Sequence, residues 1–247
     1  MLDFNTLNAE QWDSLCDTAD LIRKNPGDYA DARRGMVMAT LFYEPSTRTQ
    51  LSFQSAMLRL GGQVIGFSDP GNSSVAKGES LRDTIKIVSN YSDVIVIRNP
   101  LEGAAFAASL YSPAPVINAG DGGHLHPTQT MADLYTLRRE LGRCDGLNIG
   151  VCGDLLNGRT VHSLLSALCK YKNNKFYLIS TPALRIPGYC VDELRASGAE
   201  FCEVNTIEEC VSGLDMLYMT RIQRERFISA EEYNRQAGIY VLTADKL

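Results

Sequence analysis

The chain has 247 residues, 45% of them hydrophobic and 21% charged, with a net charge of −5. That length supports one large or two smaller domains, and the balance is that of an ordinary soluble globular protein. An acidic chain argues against a general nucleic-acid binder but leaves room for a local basic pocket that takes an anion.

The seven cysteines, Cys16, Cys144, Cys152, Cys169, Cys190, Cys202 and Cys210, are odd in number and form no CxxC pair. Several lie in apolar runs, so reduced thiols in a cytoplasmic protein are expected. The first residues show no basic start followed by an apolar run, so no secretory leader is expected. No apolar stretch approaches membrane-spanning length, so no membrane partner is expected.

A helical pattern opens the chain over residues 8–24, and an apolar strand follows at 35–42. After Ser46 the spacing of Phe53, Met57 and Leu60 predicts a helix that Gly61-Gly62 stops. Residues 64–67 read as a strand and 68–79 as a polar stretch. Leu81, Ile85 and Val88 mark the next helix, with Ser80 and Asp83 spaced like a capping box. Strands are predicted at 93–98 and 115–118, then a long helix over 128–141 with Met131, Leu134, Tyr135 and Leu141 inward. The alternation then restarts. Residues 147–152 read as a strand, Val161, Leu164, Leu165 and Leu168 as a helix stripe, and 176–179, 200–204, 215–219 and 239–242 as strands. Two runs of βαβ units imply an α/β fold of two doubly wound parallel-sheet domains joined by a long helix. The expected division is 1–127, a bridging helix at 128–142, and 143–247.

In such folds ligands bind at the carboxyl ends of strands, beside helix N-termini. At the first junction, Tyr43-Glu44-Pro45 leads into Ser46-Thr47-Arg48-Thr49, where a helix N-terminus, hydroxyls and a guanidinium together suit phosphate. Plain N-capping by Ser46 or Thr47 is the structural alternative. Arg98 ends a buried strand and is either an anion ligand or an arginine snorkelling to solvent. His126 opens the long helix in His126-Pro127-Thr128-Gln129, and a lone histidine there is by itself more often structural. His124 reads as a surface residue. Arg159, in Gly158-Arg159-Thr160-Val161-His162-Ser163, and Arg221, in Thr220-Arg221-Ile222-Gln223, each follow a strand, and two guanidiniums can grip two carboxylates. Gly150-x-x-Gly153 lacks the rest of a dinucleotide fingerprint.

Ser46-Thr47-Arg48-Thr49 after a strand resembles the carbamoyl phosphate signature of the aspartate/ornithine carbamoyltransferase family, and His126-Pro127-Thr128-Gln129 resembles another hallmark of it. The resemblance runs over nearly the whole chain. It implies that Ser46, Thr47, Arg48, Thr49, Arg98, His126 and Gln129 bind carbamoyl phosphate, with Arg48, Thr49, Arg98 and His126 catalytic. The segments around Arg159 and Arg221 resemble the aspartate-binding motifs of the aspartate-directed members, which adds Arg159, Arg221 and Gln223 as acceptor ligands. Ser73 and Lys77 match a loop that in those members reaches into the neighbouring subunit's active site, where Lys77 is a further aspartate ligand, so a homotrimer with shared sites is implied. Some family members bind a zinc-containing regulatory chain and others work as bare trimers.

The implied reaction is an early step of pyrimidine synthesis. The amine of L-aspartate attacks the carbamoyl carbon, phosphate leaves, and Thr49, Arg98 and His126 stabilise the oxyanion. No covalent nucleophile, metal or cofactor is expected. The chain stops where family members continue, which leaves the second domain incomplete and its activity in question. A non-catalytic, anion-binding assembly subunit and an ornithine-directed enzyme are the alternatives.

Overall fold

The computed structural model describes residues 1–3, 6–222, 224, 227 and 229–246. The chain divides into two compact units, Met1–Ala132 and Asp133–Leu247. The first unit opens with α1 (Ala9–Lys24). Asn8 starts it with a reciprocal cap: its side chain accepts the Gln11 N–H at 2.9 Å, and the Gln11 side chain accepts the Asn8 N–H at 2.9 Å. Two orphan amides of the helix start are thereby satisfied.

β1 (Val37–Phe42), α2 (Thr47–Arg59), β2 (Gln63–Phe67), α3 (Leu81–Val88), β3 (Val94–Asn99), α4 (Ala104–Tyr111) and β4 (Val116–Asp121) follow. The four strands pair in parallel in the order β2-β1-β3-β4. Side chains of the central strands alternate between two cores. Ala39, Leu41, Ile95 and Ile97 pack with Ile85 of α3 and Ala105 and Ala108 of α4. Met38, Phe42 and Val96 pack with Met57 of α2. Both faces are covered, which is why β1 and β3 read as continuous apolar runs. Each buried Leu, Ile, Val, Met or Phe among them contributes about 1.5–3 kcal/mol by leaving water.

The long helix, α5 (Pro127–Leu141), contains the boundary between the units. The second unit contains β5 (Asn148–Cys152), α6 (Arg159–Leu168), β6 (Lys175–Ile179), α7 (Gly188–Ala196), β7 (Glu200–Val204), β8 (Met216–Met219) and α8 (Ala230–Gln236). Its strands are again all parallel, in the order β7-β6-β5-β8. α6 is buried along nearly its whole length, with Val161, Leu164, Leu165 and Leu168 all at 2% exposure or less.

Three details correct the expectations from sequence. Residues 239–242 form no strand, and Ile239, Val241 and Leu242 are 44%, 51% and 40% exposed. The run has strand-forming side chains but no neighbouring strand supplies a hydrogen-bond ladder among the described residues. Leu141 is 38% exposed, while Leu137, one turn earlier, is buried in its place. Ser80 accepts the Asp83 N–H at 3.2 Å, but the short Asp83 carboxylate meets the Ser80 hydroxyl at 2.7 Å rather than its backbone. α4 carried no clear periodic signal because its sequence, AAFAASLY, is apolar nearly all round.

Both sheets reverse direction at one place. From β1 the chain builds to β2, then crosses to β1's other side with β3. From β5 it builds to β6 and β7, then crosses to β5's other side with β8. The carboxyl ends of β1/β3 and of β5/β8 are therefore the switch points where a doubly wound sheet opens a crevice.

Candidate active site

The first switch point holds most of the residues that the sequence points to. Phe42 pairs with Arg98 in register, and the Tyr43 N–H donates to the Arg98 carbonyl at 2.8 Å. Beyond this last rung Pro45 and Ser46 turn the chain into α2. Ser46 sits at the N-cap position but makes no capping hydrogen bond; its hydroxyl donates to Thr49 Oγ1 at 3.0 Å. Plain capping is therefore not its role here. Thr47 and Arg48 are exposed in the first turn of α2, where the helix dipole favours an anion.

Arg98 is 9% exposed, so burial rather than snorkelling describes it. Its Nη2 donates to Glu44 Oε1 at 2.7 Å, and its Nη1 donates to the Ala119 carbonyl at 3.3 Å. Nη1 also lies 3.5 Å from His126 Nε2, the outer limit of a hydrogen bond. Arg98 Nε is buried without a hydrogen-bond partner. A buried guanidinium with donor capacity to spare is suited to a further anion.

His126, 8% exposed, precedes α5 and is held from behind. Asp121, 2% exposed at the end of β4, accepts the Leu125 N–H at 3.0 Å through Oδ1 and the Gly103 N–H at 2.9 Å through Oδ2. It thus ties the loop carrying His126 to the start of α4. His124 is exposed, as expected, with Nδ1 3.5 Å from Asp121 Oδ2. Gly120 has φ +120°, and a Cβ there would lie 3.2 Å from Arg98 Nη1 and 3.6 Å from His126 Cδ2. Gln129 is half-buried in the first turn of α5.

The stretch at 70–78 is more ordered than a plain polar loop. Ser73 donates to the Pro70 carbonyl at 2.8 Å and accepts the Val75 N–H at 3.2 Å, capping the turn Ser74–Lys77. Lys77 is exposed and forms no ion pair among the described residues.

The second switch point places Arg159 at the start of α6 and Arg221 just beyond β8. Cys152 pairs with Met219, and the Thr220 N–H donates to the Cys152 carbonyl at 2.8 Å. The two strand ends approach so closely that a Cβ on Gly153, at φ +119°, would lie 2.2 Å from the Thr220 carbonyl oxygen. Asp154, with no exposed surface, accepts the Asn157 N–H at 3.0 Å and fixes the turn between them. Gln223 lies outside the described residues. Sequence reasoning missed Glu44, Asp121 and Gly120. The partner of each, Arg98 for Glu44 among them, lies far off in sequence and depends on the fold.

Among the described residues no group of three or more His, Cys, Asp and Glu could hold a metal ion. Among them, too, no helix is long and apolar enough to cross a membrane.

A family model described as "Aspartate/ornithine carbamoyltransferase, carbamoyl-P binding domain" matches residues 1–139. The aspartate carbamoyltransferase catalytic subunit of Clostridium perfringens is 56% identical over all of this chain and 81% of its own length. The catalytic subunit of M. jannaschii aspartate transcarbamoylase superposes with a TM-score of 0.91 at 47% identity, covering 97% of this chain and 79% of its own. Aspartate transcarbamoylase from Trypanosoma cruzi in complex with carbamoyl phosphate and aspartate superposes at 0.90 with 33% identity, covering 100% of this chain and 79% of its own. With its α/β sheets, its two switch points and these likenesses together, the chain belongs to the aspartate/ornithine carbamoyltransferase family, among relatives that are aspartate carbamoyltransferases.

Proposed function

We propose that the chain transfers the carbamoyl group of carbamoyl phosphate to the amine of L-aspartate, giving N-carbamoyl-L-aspartate and phosphate. The observation that carries this reading is an arginine-bearing switch point in each unit. The first has a buried, incompletely used guanidinium beside a helix N-terminus. The second sets Arg159 and Arg221 beyond neighbouring strands.

The α2 amides, Ser46, Thr47 and Arg48 hold the phosphate, where dipole and guanidinium act on the same charge. Thr49, Arg98 and His126 bind the carbonyl oxygen, and Gln129 the carbamoyl amide. As the neutral amine attacks, negative charge grows on that oxygen, and groups already placed there stabilise it without reorganisation. The carbon–oxygen bond to phosphate breaks, and the departing phosphate takes the amine proton. Arg159 and Arg221, with Gln223, grip the two carboxylates and orient the amine. An acceptor with a cationic side chain would meet a guanidinium there rather than a carboxylate.

Ser73 and Lys77 act on the site of an adjacent copy, so the working form is a homotrimer. The chain works in the cytoplasm, in keeping with seven cysteines that form no disulfide.

The test is a colorimetric carbamoyl-amino-acid assay with aspartate and ornithine in parallel. Turnover with aspartate alone is expected; turnover with ornithine alone, or with neither, overturns the reading. In the same assay His126→Ala should bind carbamoyl phosphate weakly yet keep some turnover. Complete loss of turnover with unchanged binding would instead make His126 the proton carrier.

A further inference from the structure

The proposed chemistry leaves unused a half-buried imidazole next to the acceptor site. His162 lies on α6, one turn after Arg159, so the two share a side of the helix. Its Nε2 is 2.6 Å from the Leu155 carbonyl oxygen. A carbonyl only accepts, so Nε2 carries the hydrogen. Its Nδ1 is 3.0 Å from the hydroxyl of Tyr189 on α7, and in the neutral ring Nδ1 is the acceptor, so the phenol donates. The rings meet edge to face, 5.7 Å apart at 85°. Burial lowers the His162 pKa, against opposing effects of the Leu155 bond and the Asp154 charge. The neutral form, which alone donates on one side and accepts on the other, is thereby favoured.

The Leu155 carbonyl belongs to the turn that delivers Arg159. The Leu155 N–H donates to the Leu184 carbonyl at 3.1 Å, and the Arg159 N–H donates to the Asn157 carbonyl at 3.0 Å. Asp154 closes this turn on itself, and His162 fastens it down onto the helix. Tyr189 is itself 64% exposed, so the contacts with His162 are not a by-product of burying its ring.

We infer that the chain of hydrogen bonds Tyr189–His162–Leu155 is a positioning device for Arg159, and so sets the affinity for the acceptor's carboxylate. The inference rests on aspartate binding at Arg159. A two-pronged guanidinium grip tolerates little displacement, so a loosened turn weakens binding before it touches the chemistry. His162 and Tyr189 are positioning residues and do not meet the reacting atoms.

The experiment measures KM for both substrates and kcat in His162→Ala, His162→Gln and Tyr189→Phe, each checked for a native far-UV spectrum and melting transition. His162→Ala should raise the aspartate KM by about tenfold, the scale of one lost buried hydrogen bond at a positioned group. Tyr189→Phe keeps the ring and should raise it less. In both, kcat and the carbamoyl phosphate KM stay within about twofold. His162→Gln, whose amide can still donate to Leu155, should recover much of the loss. An unchanged aspartate KM in folded His162→Ala and Tyr189→Phe, or equal losses for both substrates, overturns the inference. A wild-type chain that carbamoylates no aspartate overturns the proposed function instead. The hydrogen-bond chain is then read directly from the imidazole 15N shifts: Nε2 protonated and Nδ1 bare at neutral pH supports it, and the opposite tautomer overturns it.

Discussion

Arg98 shows how one side chain can be prepared for an anion by what surrounds it. Glu44 and the Ala119 carbonyl occupy its two terminal amino groups, while Nε has no partner. In the proposed reaction an incoming phosphate or carbonyl oxygen therefore meets a guanidinium already desolvated. Glu44 offsets part of the charge meanwhile, which makes a buried cation tolerable in the free protein. Gly120 keeps the space beside it. Gly120→Ala places a side chain at a positive φ, at a cost of about 1–3 kcal/mol, and presses on Arg98 and His126. The expected outcome is lower stability in urea melts together with a carbamoyl phosphate KM raised by about tenfold or more. An unchanged KM would mean that Arg98 can yield without loss.

At the scale of elements, the strand-to-helix junctions carry the residues of the proposed function and the cores hold them still. The α6 junction has a measurable signature because His162 is kept neutral by burial. Its native pKa lies below the ordinary value of about 6.5 that it regains on unfolding. Between those values the unfolded chain binds more protons, so stability rises with pH. The contribution is complete above about 6.5 and is lost as pH falls toward the lowered native value, with a slope of at most about 1.4 kcal/mol per pH unit. Urea melts between pH 7.5 and 5.5, about the window that the histidine titration spans, should show His162→Gln losing less stability than wild type. Equal losses would place the acid sensitivity elsewhere.

At the scale of the whole molecule, the proposed trimer is a ring in which each copy lends Ser73 and Lys77 to the next. A head-to-tail contact of this kind closes into a ring, so defects on opposite sides of one site can complement each other. Arg48→Ala and Lys77→Ala should each be nearly inactive alone. Unfolded, mixed in equal amounts and refolded, they should regain roughly a quarter of wild-type activity, because one site in four combines two intact halves. No recovery would mean that each copy completes its own site.

The sequence by itself determined the α/β class, most strands and helices, and the residues that bear the charge. These follow from local rules: Phe53, Met57 and Leu60 recur at helical spacing, 94–97 is a pure β-branched run, and Ser46-Thr47-Arg48-Thr49 stands where a strand gives way to a helix. Only the tertiary structure decided which strands are neighbours, and hence that β1/β3 and β5/β8 are the switch points. It also decided that Asp121 braces the His126 loop, that Glu44 meets Arg98, and that residues 239–242 form no strand despite their composition. The reason is that a strand, a buried ion pair and a close approach at a glycine each need a partner distant in sequence. Periodicity records a residue's own preference, whereas the partner is chosen by how the chain packs.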